Sequence, residues 1–361
     1  MKSNYKKLGD YIRLVDERNK DDRVTRLLGV SIEKKFIESI ANTVGTDMSV
    51  YKIVRKGQFA YGPVTSRNGD KVSIALLQEE ECIISSSYTV FEIIDTTKLL
   101  PEYLNLWFKR PEFDRYARFH SHGSAREIFD WDEMCNVELP IPELDEQKKI
   151  VEAYSIIEKR IEIKRQINDN LEAQAQAIFK NIYKEPGSSQ TITLDKVFSF
   201  IKGKKPIDTS FTPKDLYQPY LNIDCLTYGE KVYACPTKMI MADDNDFLMV
   251  MDGASSGKVY YGMSGVVAST LAKLDFILPE YKELTLQLLY FKWEEISTHN
   301  TGSAIPHTDK DFIYEMKLAI PDNLNQVNTA LYNFRQQITL NLREIAQLKI
   351  LQSSLIITVS R

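Results

Sequence analysis

The chain repeats itself, and this repetition limits the folds open to it more than any other feature. Near the start of each half stands a leucine-led pentapeptide, Leu-Gly-Asp-Tyr-Ile at 8–12 and Leu-Asp-Lys-Val-Phe at 194–198, each followed by a basic segment. Lys56-Gly57-Gln58-Phe59 is echoed by Asn245-Asp246-Phe247, and Ser86-Ser87-Tyr88 by Ala268-Ser269-Thr270. Leu-Pro-Glu-Tyr occurs at 100–103 and again at 278–281. His122-Gly123-Ser124-Ala125 matches Thr301-Gly302-Ser303-Ala304, and each is followed, after the same interval, by Pro140-Ile141-Pro142 or Ala319-Ile320-Pro321. One such match arises by chance; a shared order along both halves does not. A length of 361 residues also suits two domains better than one.

After each Ile-Pro pair the chain becomes poor in Gly and Pro, which predicts that each half ends in a long helix. The first covers about 143–183, where Pro186-Gly187 stops it, and the second runs from about 323 towards the last residue. Ile150, Tyr154, Ile157 and Ile161, then Leu171, Ala175 and Ile178, fall at spacings of three and four. Leu324, Val327, Leu331, Phe334, Ile338, Ile345 and Leu348 do the same, with Asn341 filling one seam position. That is coiled-coil spacing. The alternative, two amphipathic helices each lying on its own domain, fits the length less well, because about 40 residues at about 1.5 Å each reach near 60 Å. Between the helices each half reads as α+β. The runs 71–75 and 88–93 are short and β-branched, and 99–110 and 284–295 are helical with one apolar face.

Composition narrows the function classes. Hydrophobic residues at 43% and charged residues at 27% exclude a chain disordered over most of its length. No apolar run nears the roughly 20 residues that span a bilayer, and 1–10 lacks the apolar core of a secretory signal, so a cytoplasmic protein is expected. Cys82, Cys135, Cys225 and Cys235 form no Cys-x-x-Cys pair, which predicts reduced thiols rather than a zinc ribbon. The run Asp252-Gly253-Ala254-Ser255-Ser256-Gly257-Lys258-Val259 resembles a phosphate-binding loop. It lacks the first glycine at Asp252 and the magnesium-binding hydroxyl at Val259, so it reads as a glycine-rich turn between strands. No glycine-rich cofactor loop with an Asp/Asn-Pro-Pro-aromatic motif, serine nucleophile elbow or His-Glu-x-x-His helix occurs. His120-x-His122 has no third ligand at a convincing spacing. An autonomous enzyme is therefore not expected.

These features together match a known pattern. The order Leu-Gly-Asp-Tyr-Ile, Gly-Ser-Ala before an Ile-Pro pair, then Asp145-Glu146-Gln147-Lys148-Lys149-Ile150-Val151 leading into a long helix resembles the specificity (S) subunits of Type I restriction-modification systems. The run 167–179, Ile-Asn-Asp-Asn-Leu-Glu-Ala-Gln-Ala-Gln-Ala-Ile-Phe, looks like the central helix of many such subunits. The resemblance covers essentially the whole chain. It implies two similar target-recognition domains joined by two long helices forming an antiparallel coiled coil: domain 1 at 1–142, the central helix at 143–186, domain 2 at 187–321 and the C-terminal helix at 322–361. Each domain would read one half of a bipartite site in double-stranded DNA, and the helices would set the unread spacer. Two methylation subunits would dock on the helices and motor-nuclease subunits could join them. S-adenosylmethionine, ATP and Mg would belong to those partners, with no catalytic residue, cofactor or metal in this chain and no membrane contact. The second half departs from the pattern: Asn325-Gln326-Val327 keeps only the glutamine of Glu146-Gln147. Equal docking at both ends is therefore not implied.

The net charge of −4 makes the distribution of cations decisive, because phosphate contacts need local positive charge. Basic groups cluster at Arg13, Arg18, Lys20, Arg23 and Arg26 and at Lys202, Lys204 and Lys205. Arginine reads guanine and lysine mainly positions the backbone. The candidate DNA-binding residues are thus Arg13, Arg18, Arg67, Lys71 and Arg126 in the first half, and Lys202, Lys204, Lys205, Lys258 and Lys310 in the second. The competing reading of each is an exposed charge that touches no DNA. For the whole chain, the competing function is a non-enzymatic coiled-coil interaction protein carrying two ligand-binding modules unrelated to DNA.

Overall fold

A computed structural model describes residues 5–39, 45–66, 69, 71–123, 126–184, 190–299 and 306–358. The chain forms two compact units, Met1–Glu162 with Ala346–Arg361, and Ile163–Ile345. The repeat seen in the sequence reappears as a repeat of strand order. In the first unit a four-stranded antiparallel sheet runs Ile12–Val15, Thr89–Ile93, Phe59–Tyr61, Ile74–Leu76. In the second the order is Phe198–Lys202, Leu271–Phe276, Phe247–Val250, Val259–Tyr260, again antiparallel throughout.

The leucine-led pentapeptides do the same work twice. Each makes a tight 3-10 turn, Leu8–Asp10 or Leu194–Lys196, whose leucine is fully buried. Its backbone N–H donates across the unit, from Leu8 to Val137 O at 2.8 Å and from Leu194 to Met316 O at 3.1 Å. Just before each turn an outer strand pairs with the strand that leads into the long helix: Tyr5–Lys7 with Glu138–Pro140, and Gln190–Thr193 with Lys317–Ile320. Gly9 is needed by close approach, since a Cβ there would lie 2.8 Å from that of Cys135. The later Gly-Ser-Ala match falls largely on Ser124, Ala125 and 301–305, which lie outside the described residues.

In the first unit α1 (Pro101–Phe108), α2 (Pro111–Phe119) and α3 (Trp131–Cys135) follow the sheet. Prolines at the first helical position of α1 and α2 suit a helix start, where the missing N–H has no partner to lose. Phe59 stacks on Phe91 at 5.0 Å, and Phe108 packs edge-on against Phe59 to hold α1 on the sheet. The long helix α4 (Leu144–Lys184) then begins, and its Ile150 and Val151 pack on this core. The second unit contains α5 (Ile223–Tyr228), α6 (Lys282–Phe291), α7 (Trp293–Thr298) and α8 (Lys310–Glu315), and α9 (Leu324–Thr358) closes the described chain. The helix expected over 284–295 is two helices, because the chain turns at Lys292. The strand expected over 71–75 is Ile74–Leu76; Val72 instead donates its N–H to Asp114 at 2.9 Å, which takes it out of the ladder.

Within the second unit, Ala175 and Phe179 of α4 and Val327 and Leu331 of α9 belong to one buried cluster with Leu284, Leu288 and Phe247. The seam positions Val327, Leu331, Ile338, Asn341 and Ile345 are buried, as the three-and-four spacing predicts. The gap in the apolar series of α4 between Ile161 and Leu171 is filled by polar groups. Lys164 pairs with Glu344 at 2.8 Å and donates to Asn341 at 2.9 Å, and Asn341 donates to Asn168 at 2.7 Å. Partners rise in number along α4 as they fall along α9, so these segments run antiparallel. Among the described residues no helix is long and apolar enough to cross a membrane.

Candidate nucleic-acid interface

The basic run of the first half is largely neutralised in three dimensions. Arg13 donates to Glu92 of the adjacent strand at 2.6 and 2.8 Å, and Gln58 donates to the other oxygen at 2.9 Å. Burial pushes the Glu92 carboxyl up, but those hydrogen bonds outweigh it and leave the group below its usual range. Arg18 donates to Val50 O at 2.9 Å and pairs with Asp16 at 2.8 Å. Arg23 meets Glu81, Arg26 meets Glu38 and Glu79, and Arg55 bridges Glu17 and Glu81. Lys71 pairs with Glu33 at 2.9 Å. Arg67 lies outside the described residues. Arg126 is exposed and has no ion pair among the described residues.

In the second half Lys202 pairs with Asp252 at 3.2 Å, which also holds His307 at 2.7 Å. Lys204 reaches only the carbonyl of Lys238, at 3.5 Å, and Lys205 is exposed with no ion pair among the described residues. Lys258 is exposed beside the Tyr260 ring, 5.2 Å from its centre, and Lys310 opens α8 at 5.6 Å from the centre of Phe200. Taken unit by unit, the candidates with a described partner thus each meet a different one.

The phosphate-loop-like run is a turn between the strands Phe247–Val250 and Val259–Tyr260. The N–H groups of Gly253, Ser256, Gly257 and Lys258 donate to Pro306 O, Gly253 O, Val250 O and Ser255 O. Those four donors are already spent and are not free to cradle a phosphate. His120 and His122 both approach Glu133, at 3.0 and 3.8 Å, and no group of three or more His, Cys, Asp or Glu among the described residues could hold a metal. The cysteines are free, and burial pushes the Cys82 thiol up to about 12.

Two concave surfaces of opposite character stand out. In the first unit a cavity of about 840 Å³ is lined by Lys34, Lys71, Lys109, Arg115 and Arg118 against two acids, Glu33 and Asp114. Lys34 is buried in a left-handed conformation (φ 61°), donating to Asp114 at 2.5 Å and to Val72 O at 2.8 Å. Burial holds its ammonium below the ordinary lysine range in spite of Asp114. Lys34, Lys109, Arg115 and Arg118 carry no local signal in the sequence, because loop 31–35 meets the end of α1 and α2 only in the fold. In the second unit a cavity of about 860 Å³ is lined by Tyr260, Tyr290, Trp293 and Phe334 with Asp169 and Glu172. Burial, together with Asp169, pushes the Glu172 carboxyl up.

Residues 38–173 match the family described as Type I restriction modification DNA specificity domain. The Type I restriction enzyme MjaVIII specificity subunit of Methanocaldococcus jannaschii is 28% identical over 144 residues, 38% of this chain and 33% of that one. The Type I restriction enzyme HindI specificity subunit of Haemophilus influenzae is 25% identical over 181 residues, 48% of this chain and 39% of that one. The matched stretches thus span little more than a third of those relatives. The fold is that of the Type I restriction-modification system S subunit from M. genitalium, with a TM-score of 0.62 at 14% identity over 99% of this chain and 96% of that one.

Proposed function

We propose that this chain, which the family match, the curated relatives and the shared fold support as a Type I restriction-modification specificity subunit, reads a bipartite site in duplex DNA, one part with each half. The observation that carries the reading is the strand order built twice, each time with its outer strand pair leading into a long helix. Two like modules on antiparallel helices suit a site whose halves lie on a duplex with its own local two-fold symmetry. In this reading 1–142 and 187–321 are the recognition domains, and the helices at 143–186 and 322–361 set the spacer and dock two methylation subunits. Motor-nuclease subunits would join that complex. Methyl transfer and ATP hydrolysis, with S-adenosylmethionine, ATP and Mg, would belong to the partners, and this chain would supply recognition alone.

Among the candidates, Arg126, Lys204, Lys205 and Lys258 can meet a phosphate without first leaving a carboxylate. Arg13, Arg18, Lys71 and Lys202 must exchange one partner for another, which favours positions where geometry matters more than bare charge. The test is exchange of residues 191–320 for the matching segment of a relative, in cells that carry the methylation partner. Single-molecule sequencing then maps the methylated adenines. One part of the site should change while the other stays. If both parts change together, or if methylation is indifferent to this chain, the reading falls.

A further inference from the structure

The two halves differ in the basic segment that follows their first sheet strand. In the second half this segment, 203–217, carries large apolar side chains held out in water: Ile207 is 107% exposed, Phe211 81% and Leu216 85%. Among the described residues of its counterpart in the first half, the most exposed isoleucines, Ile32 and Ile37, are 39% and 47% exposed. Such exposure is not looseness of the backbone. Gly203 donates its N–H to Leu271 O at 2.9 Å and lies so close to the sheet that a Cβ would come within 2.2 Å of Ala268 O. The strands Thr209–Ser210 and Gln218–Leu221 both pair with Tyr233–Ala234. Asp208 closes the segment on itself by accepting from Tyr217 at 2.7 Å and Lys214 at 3.5 Å. The result is a braced arm with an apolar tip.

The arm also carries Lys204, Lys205 and Lys214, next to Lys202, against only Asp208 and Asp215, and the two neighbouring lysines 204 and 205 have no carboxylate partner among the described residues. Unpartnered apolar tips mark a contact surface, and the surplus of lysines selects a polyanion as what covers it. Duplex DNA accepts this combination: lysines take the phosphates, while apolar side chains lie on thymine methyls or wedge between base steps. We infer that residues 203–217 form an apolar-tipped DNA arm in which Ile207, Phe211 and Leu216 contact the bases of the second half's target and Lys204 and Lys205 hold the adjoining backbone. This rests on the DNA-reading function proposed above and names the residues that do the reading in one half.

The experiment uses the full chain with its methylation partner, a duplex carrying the mapped site, and a scrambled duplex of equal length. The triple variant Ile207→Ser, Phe211→Ser, Leu216→Ser removes only exposed side chains, so thermal unfolding should match the parent. It should weaken binding to the mapped site by about tenfold or more while leaving scrambled binding within about twofold and the salt slope unchanged. Lys204→Ala with Lys205→Ala should weaken both duplexes alike and shallow the salt slope by about two. Thymines of the second half-site should gain permanganate reactivity on binding the parent but not the triple variant. Parent-like binding by the triple variant overturns the inference. So does loss of the methylation partner with DNA binding intact, which would make the arm a protein dock. A parent complex that fails to distinguish mapped from scrambled duplex overturns the DNA-reading function itself, and the inference with it.

Discussion

The two halves share their strand order but grip their long helices by different chemistry. At the start of α4, Gln147 is fully buried; its amide accepts from Leu100 N at 2.9 Å and donates to Lys98 O and Pro142 O, both at 2.8 Å. One neutral side chain thus satisfies the approach to α1 and fixes the first turn of α4. Further along, Lys109 reaches Tyr154 at 3.2 Å and Glu158 at 3.6 Å. In the second half the two helix starts align through the carbonyls of Glu143 and Asn323, each of which accepts from the residues three and four ahead. By that alignment the exposed Gln326 stands where Glu146 does, and Val327, 7% exposed, takes the place of Gln147. The glutamine that the sequence match suggested as shared is therefore not the equivalent residue. The grip lies two turns later, where Arg335 of α9 makes a buried bidentate pair with Glu283 of α6 at 2.7–3.1 Å, within reach of the Phe247 and Tyr332 rings. One architecture tolerates either a neutral hub or a buried ion pair, provided that something polar fixes the helix on its domain.

The ion pair should be the costlier to break. Glu283→Gln leaves the Arg335 charge buried without its counterion, for a loss of about 3–5 kcal/mol in urea unfolding. Replacing both residues by methionine should bring stability back to within about 1 kcal/mol of the parent, since the penalty comes from an unpaired charge and not from absence of the pair. A single variant that loses under about 1 kcal/mol would show that solvent reaches Arg335 and that the grip lies elsewhere.

Gln147 should come next. Gln147→Ala strands one N–H and two carbonyls, a loss of about 1–3 kcal/mol. The reciprocal change Val327→Gln should destabilise by a similar amount, because the second half presents hydrophobic neighbours where the first presents backbone groups. Thermal unfolding of both variants decides the point. If Val327→Gln proves neutral, the second half retains the polar socket of the first and the two grips are less distinct than the contacts indicate.

What could be read in advance follows a simple division. Periodic burial was legible: the three-and-four spacing of α9 gave its buried seam, and the duplicated motifs gave a duplicated sheet. Polar groups that find partners far along the chain were not. The cations Arg13, Arg23 and Arg26 look free in sequence because their carboxylates, Glu92, Glu81, Glu79 and Glu38, stand on other strands and loops. Arg335 and Glu283 are separated by 52 residues, and each sits in an ordinary amphipathic helix. Gln147 lay inside a motif that marked the family, yet its partners are backbone groups, which carry no side-chain signature. The exposed apolar residues of 203–217 carry no local signal either: nothing in a sequence separates an apolar side chain in water from one in the core, and only the fold shows Ile207, Phe211 and Leu216 exposed.

The smallest expected effect on stability belongs to the polar layer of the helix pair, and it separates stability from register. Asn341 and Asn168 are both nearly buried, bonded to each other at 2.7 Å, and Lys164 and Gln337 donate to Asn341 at 2.9 and 3.1 Å. Changing one asparagine alone would strand its mate. Changing both, Asn168→Leu with Asn341→Leu, removes the polar requirement and adds apolar contact, so the urea midpoint should move by no more than about 1 kcal/mol in either direction. Register is another matter: leucines at seam positions are satisfied by any seven-residue slip, whereas an asparagine pair is satisfied only when the two face each other. If the helices set the spacer of the target, the double-leucine protein should methylate sites of a second spacer length besides the parental one, with the bases of each half unchanged. Sequencing methylated adenines in cells carrying the variant and its methylation partner gives that answer directly. A single parental spacer at full activity would mean that the Gln147 and Arg335 grips fix the register unaided, and the asparagine layer would then be a tolerated polar contact rather than the element that sets it.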